Sequence, residues 1–256
     1  MACGMAQSRL QPRPGMEHAK PSGKPARDAD AAPRSGSPHY RRAQRDRGAE
    51  TRAQLIEAAL DVFGRLGYEG ASTREIAKAA NANLAAIVYH FGGKEALHIA
   101  VAEHVVSSIL AKIGPTLAIA GDPAATASPT AARATLHRLV ETMINTLLGS
   151  AEAERWARFL VREQMYPTAA FEVVYGFMSA ATTTAARVVA TILGKPVDES
   201  VRLRVFTILG QVLVFRLAQA LVLRRMEWTA IGERERDAIK QVVHQNIDAI
   251  LEGVKS

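Results

Sequence analysis

Residues 72–94 constrain this chain more than any other stretch, because their start and stop signals leave room only for short helices. Ser72-Thr73-Arg74-Glu75 has the form of a capping box. The Ser72 hydroxyl can accept the third backbone N–H of a helix, and Glu75 can reach back. Ile76, Ala77 and Ala80 supply the inner face of that helix. It ends at Asn81-Ala82-Asn83, a turn in which Asn81 can take the left-handed conformation. Asn83 is a good N-cap for the next helix, Leu84–His90, and Gly92-Gly93 breaks the chain again. Upstream, Leu55, Ile56, Ala59, Leu60, Val62 and Phe63 recur at threes and fours from Thr51, and Gly67 stops that helix.

The rest reads as helix in longer pieces. Lys94 opens one that runs to about Ile113, and residues 114–131, rich in Gly, Pro, Ala, Ser and Thr, read as a linker. Further helices are expected over Ala132–Leu148, Ala153–Met165, Ala169–Leu193, Glu199–Arg225 and Glu233–Gly253, punctuated by Pro167, Gly194-Lys195-Pro196 and Gly232. No strand alternation stands out, aromatics are only 5%, and the fold class is all-α. With 48% hydrophobic residues in 256, the chain can bury a sizeable core. One cysteine, Cys3, excludes an internal disulfide and thiolate metal sites, which points to a reducing cytoplasm. No secretory signal is visible. The one transmembrane candidate is Val205–Leu223, which holds Gln211, Arg216 and Gln219 and is better read as a buried helix.

Charge is unevenly divided. Residues 1–50 hold ten basic and five acidic side chains, so most of the net +7 belongs to an N-terminal segment. Residues 1–49 are Pro-, Arg- and Ser-rich, offer little apolar surface to offset ordering entropy, and read as a disordered basic tail. Arg41, Arg42, Arg45, Arg47 and Arg52 precede or open the first helix. They either grip nucleic acid or serve only solubility.

Three short helices with a tight turn between the second and third make a helix-turn-helix, whose last member fits the DNA major groove. Over Thr51–Leu97 the sequence resembles the DNA-binding domain of the TetR/AcrR family of bacterial transcription regulators. The resemblance rests on Thr51, Leu55-Ile56, Ala58-Ala59, Val62-Phe63 and Gly67, then Ser72, Ile76-Ala77 and Ala80, then His90-Phe91, Lys94-Glu95 and Leu97. Arg162-Glu163-Gln164, Pro167-Thr168, Ala170-Phe171, Leu209-Gly210-Gln211-Val212-Leu213 and Phe215-Arg216 are similar to the CecR-type effector domain. The implied organisation is a tail (1–49), a DNA-binding domain (50–97) and a helical effector-binding and dimerisation domain (98–256).

The resemblance implies phosphate contacts from Ser72, Thr73, Arg74 and Lys94, with Asn83 and His90 bounding the recognition helix, and Arg52 is the DNA-contact candidate among the arginines upstream. Leu84, Ala85, Ala86 and Tyr89 match positions that face bases. The alanines can pack on thymine methyls and Tyr89 can donate to a base or phosphate. Three positions depart from the family pattern: Asn81 replaces Gly, Asn83 replaces Ser, and Val88 stands where a phosphate-binding Tyr is usual. Tyr89 lies about 100° further round the helix, so that contact does not transfer to it.

In the C-terminal half the resemblance implies a four-helix dimer interface, for which Val205, Leu209, Val212, Leu213, Val243 and Ile247 are candidates. It also implies a pocket for a small-molecule effector, with Trp156, Phe159, Met165, Phe177, Met178 and Arg216 as candidate lining. Arg216 needs a partner in its apolar helix, with Glu163 and Glu172 as candidates, or it attracts an anionic effector instead. The implied partners are therefore double-stranded DNA, an unidentified effector and a second copy of the chain, with no membrane. Relatives of this type suggest efflux or drug-tolerance genes as targets.

No catalytic residue, metal site or cofactor is expected. Glu95-x-x-His98 has di-metal spacing but lacks a second copy, and His98 reads as a surface or interdomain residue. No zincin, nucleophile-elbow, phosphate-loop or dinucleotide motif is present. The competing function is a small-molecule binding or interaction protein without specific DNA recognition.

Overall fold

Helix α1 begins earlier than the sequence reading allows, at Pro38, and runs to Gly70 in this computed structural model, which describes residues 38–252. Residues 1–37, and with them most of the expected tail and Cys3, lie outside the described residues. Residues 38–49 are thus helical, correcting the disordered assignment for that part. Pro38 suits a first helical position, and the Arg- and Ala-rich run that follows has good intrinsic propensity without needing an apolar face. Gly67 breaks α1 as expected, with φ 75° and ψ 176°, and one more turn follows to Gly70.

Beyond it come α2 (Thr73–Ala79), α3 (Leu84–Phe91) and α4 (Lys94–Gly121). The caps are those the sequence spells out. Ser72 Oγ accepts from the Glu75 N–H at 3.1 Å, Asn83 Oδ1 accepts from the Ala85 N–H at 2.9 Å, and Asn81 takes φ 50°. Helix α4 outruns its expected end by two turns and carries Pro115 inside it. The expected linker shrinks to residues 122–128, which contain a single 3-10 turn, Pro123–Thr126.

The remaining elements are α5 (Pro129–Leu148), α6 (Ala151–Met165), α7 (Phe171–Leu193), α8 (Glu199–Leu217), α9 (Gln219–Met226) and α10 (Glu233–Glu252). No strand occurs among the described residues. The single helix expected over Glu199–Arg225 is in fact two, bent by 74° at Ala218.

Two hydrophobic cores organise these helices. The first joins Leu55 and Phe63 of α1, Ile76 of α2, Ile87 of α3 and Leu97, Val101 and Val105 of α4 to Trp156 and Phe159 of α6 and Val174 of α7. The second joins Leu136 and Ile144 of α5, Val189 of α7, Val205 and Val212 of α8 and Val243 and Ile247 of α10, with Ala120 of α4. The expected boundary at 97/98 falls inside α4, which contributes to both cores. Serving two cores also makes α4 and α7 unusually apolar. By length and composition each is able to cross a membrane, with mean hydropathy 1.4 and 1.2, as is the α8–α9 pair if counted as one span. The expectation of one such candidate is corrected accordingly.

Candidate nucleic-acid interface

Helix α3 turns one side inward and one side out. Ile87 is 1% exposed and anchors it, while Ala82 and Ala86 are half-buried against the same core. The outer side presents Leu84, Ala85, Val88 and Tyr89, with Val88 64% and Tyr89 84% exposed. Ala86 is therefore less available than expected. Val88, noted only as a departure from the family pattern, joins this face because its spacing of four from Leu84 places both on one side.

Polar groups frame this face. Ser72 and Arg74 are exposed at the start of α2, with Thr73 half-buried between them. The Ser72 and Asn83 oxygens are occupied by their caps, which leaves the Ser72 hydroxyl proton and the Asn83 amide N–H groups as donors. His90 is half-buried and meets Tyr89 edge to face at 4.9 Å. Arg52 holds its guanidinium 5.1 Å from the centre of the Phe91 ring, fastening α1 to the end of α3. Lys94 places Nζ 4.4 Å from the centre of the Tyr68 ring, so this cation is committed to a neighbour. Arg42 and Arg47 are exposed on α1, and the side chains of Arg41 and Arg45 lie outside those described.

The second half grips the first through α6. Arg155 reaches Asp61 at 2.6 Å, Glu57 Oε2 at 2.8 Å and the Glu57 carbonyl at 2.9 Å. Arg162 donates to the Gly64 carbonyl at 2.8 Å and to the Arg65 carbonyl, where the break in α1 leaves carbonyls without helical partners. A Cβ at Gly67 would stand 2.9 Å from Arg162 Nη1, so a positive φ and a close approach both require glycine there. His98, expected at the surface or between the domains, is 2% exposed, which removes the first of these. Its ring packs on Phe63, Tyr68 and Phe159, its Nδ1 is 3.2 Å from Thr168 Oγ1, and its Nε2 is 3.4 Å from Glu163 Oε1. Burial, then the Lys94 charge, pushes this imidazole down to about 4.

The candidate effector residues are scattered. Trp156 and Phe159 are buried in the first core, Phe177 and Met178 are half-buried against it, and Met165 is 64% exposed. Met165 and Arg216 border an open cleft between α6 and the α8–α9 bend. Neither expected carboxylate pairs with Arg216. Its guanidinium donates instead to the Leu147 carbonyl at the end of α5 and to Gln219 Oε1 at 2.8 Å. An apolar cavity of about 120 Å³ lies elsewhere, between α4, α5, α7 and α8, and none of the six lines it.

The candidate dimer residues need correction too. Val205, Val212, Val243 and Ile247 are at most 3% exposed and face this chain's own second core, Leu209 lines the cavity, and Leu213 is half-buried. Apolar side chains that α8 turns outward are Leu203 (58% exposed), Phe206 (59%), Val214 (48%) and Leu217 (59%), with Gly210 among them. Helix α10 adds an uncharged outer strip of Ala238, Gln241, Val242, Gln245, Asn246 and Ala249.

Comparison with known proteins agrees with this architecture. Residues 55–101 match the model of "Bacterial regulatory proteins, tetR family", and residues 132–254 match "HTH-type transcriptional dual regulator CecR, C-terminal domain". The HTH-type transcriptional dual regulator CecR of Shigella flexneri is 35% identical over 212 residues, covering 81% of this chain and 94% of that protein. Among solved structures, a TetR-like transcriptional regulator from Rhodococcus sp. RHA1 superposes with a TM-score of 0.55 at 22% identity, covering 79% of this chain and 96% of that one. AibR, solved in complex with isovaleryl coenzyme A and operator DNA, does so with a TM-score of 0.56 at 15% identity, covering 76% and 96%. At such identities these two speak for the fold alone.

Proposed function

The chain belongs to the TetR family of bacterial transcriptional regulators, with a CecR-type C-terminal domain, and from that premise we propose a homodimeric repressor released from a palindromic operator by a small-molecule effector. The observation that carries the reading is the outer face of α3. Leu84, Ala85, Val88 and Tyr89 stand exposed on a helix fixed by the Asn83 cap and the buried Ile87. A helix held so rigidly, with apolar and phenolic groups outward, suits thymine methyls and a phosphate or base edge in the major groove. Few groups on it can read bases by hydrogen bonds, so DNA shape and flanking phosphate contacts from Arg52, Ser72, Thr73 and Arg74 share the discrimination. The reading elements lie in residues 50–97 and the effector and dimerisation elements after them, with α4 running unbroken across that border.

Dimerisation is assigned to the outward faces of α8 and α10. Leu203, Phe206, Val214 and Leu217 form an exposed apolar strip beside the uncharged strip of α10. Such strips on neighbouring helices suit a four-helix arrangement with a second copy. Two recognition helices then reach successive major grooves, about 34–36 Å apart. A protein of this kind works in the cytoplasm, where its DNA is.

Helix α4 supplies the link for regulation. It starts beside α3 at Lys94 and, in the turns before its end at Gly121, lines the cavity with Ile113, Thr116 and Leu117. An effector that favours one setting of this helix changes the spacing of the two reading heads. A full switch requires the ligand to separate the two states by about 5.5 kcal/mol. AibR, a protein of the same fold, was solved with both isovaleryl coenzyme A and operator DNA, so a chain of this fold is able to hold a ligand and DNA together.

The test is fluorescence anisotropy on DNA from upstream of the chain's own gene, against unrelated DNA at the same salt. A preference of about 10³ or more, steeply salt-dependent, is expected. Equal weak binding to both DNAs would contradict the repressor reading.

A further inference from the structure

We infer that the cavity between α4, α5, α7 and α8 takes a small, uncharged, largely apolar molecule about the size of one aromatic ring, whose polar group, if it has one, is a hydrogen-bond donor. The inference deepens the effector reading above and rests on it for regulatory meaning, though not for ligand chemistry.

Size comes first. The cavity measures about 120 Å³. An engineered apolar cavity of about 150 Å³ in another protein stays dry and binds benzene, so a six-membered ring is the natural scale here. Met143 in the wall is an unbranched, flexible side chain that can yield to a slightly larger guest.

Charge comes next. None of the fifteen lining residues is ionisable; the walls are Ile, Leu, Val, Ala and Met, with three threonines. An anion would enter without a cation or a free donor to meet it, and a cation without a carboxylate. Burying either charge unpaired is strongly unfavourable.

The threonines set the polarity of any hydrogen bond. Thr142 Oγ1 donates to the Arg138 carbonyl at 2.8 Å, and Thr182 Oγ1 donates to the Met178 carbonyl at 2.7 Å. With the Thr142 proton so placed, the 3.1 Å contact between Thr116 and Thr142 has Thr116 as its donor. All three hydroxyl protons are thus engaged inside the protein. What faces a guest is oxygen lone pairs, chiefly those of Thr116 and Thr182. A hydroxyl or N–H on the guest can use them; a carbonyl or carboxylate can do so only if a threonine gives up its own bond.

The experiment titrates the full chain with benzene, phenol and benzoate, three probes of one ring size, by protein NMR shifts and by change in Tm. Benzene and phenol should bind, phenol several-fold to about tenfold tighter, as one added hydrogen bond allows. Benzoate should be at least about a hundredfold weaker than phenol. Thr116→Val or Thr182→Val, whichever oxygen meets the phenol hydroxyl, should lower phenol affinity to that of benzene and leave benzene unchanged. Ala185→Leu, which fills the cavity, should abolish both; Ala181→Met serves the same purpose should that variant fold poorly. Benzoate binding as tightly as phenol, or no binding of either neutral probe, overturns the inference. Anisotropy with upstream DNA on the same samples keeps the two readings apart. If a neutral probe fills the cavity and DNA affinity does not change, the ligand class stands and effector control through this cavity falls. If the unliganded chain never prefers that DNA, the repressor reading falls while the titrations still decide the ligand class.

Discussion

His98 Nε2 and Glu163 Oε1 lie 3.4 Å apart with both side chains 3% exposed, joining the helix that leaves the recognition unit to the helix that grips α1. Burial, then Lys94, pushes the imidazole down to about 4, and burial raises the Glu163 carboxyl against the opposing hydrogen bonds from Thr168. Both shifts favour an uncharged pair.

Acid should therefore unfold the protein partly through this pair. An unfolded chain takes up the histidine proton near its ordinary value of 6.5, the folded one only near 4. The His98 contribution to stability is whole above pH 6.5 and is lost as pH falls toward 4, on the order of 3 kcal/mol in all. Glu163, being raised, acts in the opposite sense, its contribution being lost as pH rises above 4.5 toward the raised value. Urea unfolding at a series of pH values should show a steep loss for the native chain and a shallower one for His98→Gln. Parallel curves would count against the assignment.

Tyr89 and Asn83 should separate reading from holding. Tyr89 is 84% exposed, so Tyr89→Ala should leave stability within about 0.5 kcal/mol. The same change should weaken specific DNA binding by about 1 kcal/mol or more, some fivefold at least. Asn83→Ala removes the bond to the Ala85 N–H and should cost about 1 kcal/mol of stability as well as DNA affinity. Denaturation and anisotropy on the same preparations give both numbers.

Phe206→Asp and Val212→Asp sit six residues apart on α8 and should fail differently. Phe206 is 59% exposed, and a charge there should yield a folded monomer by sedimentation. Val212 is fully buried in the second core, and a charge there should prevent folding. A Phe206→Asp protein that remains a dimer would remove α8 from the interface.

Arg162→Ala should loosen the grip of α6 on α1. It removes donors to the Gly64 and Arg65 carbonyls beside the break at Gly67. Leaving those acceptors short should cost about 1–3 kcal/mol in denaturant melts. Hydrogen exchange should rise first around 64–70.

What could be read in advance divides along a physical line. Short-range chemistry was legible: the Ser72 and Asn83 caps, the left-handed Asn81 and the break at Gly67 each follow from a few adjacent residues. Features set by distant partners were not. The start of α1 at Pro38 has no apolar periodicity to announce it, and Gly114-Pro115 looks like a helix end although α4 continues to Gly121. The bend at Ala218 has neither Gly nor Pro; Arg216, held by the Leu147 carbonyl, bonds to Gln219 across it. Periodicity on α8 likewise reveals an apolar helix without telling which side faces its own core. Val212 and Leu203 are both aliphatic residues of α8, yet one is buried and the other 58% exposed.

Continuity of α4 restricts how regulators of this kind can be recombined. At about 1.5 Å per residue its 28 residues span about 42 Å, with Leu97 to Ile109 serving one core and Ala120 the other. A foreign reading head spliced on at residue 97 would leave Val101, Val105 and Ile109 to pack against strangers. Exchange between relatives should therefore succeed where the donor segment carries the whole of α4 up to Ile109 together with the α6 surface that meets it, and cuts made at the apparent border should yield insoluble hybrids.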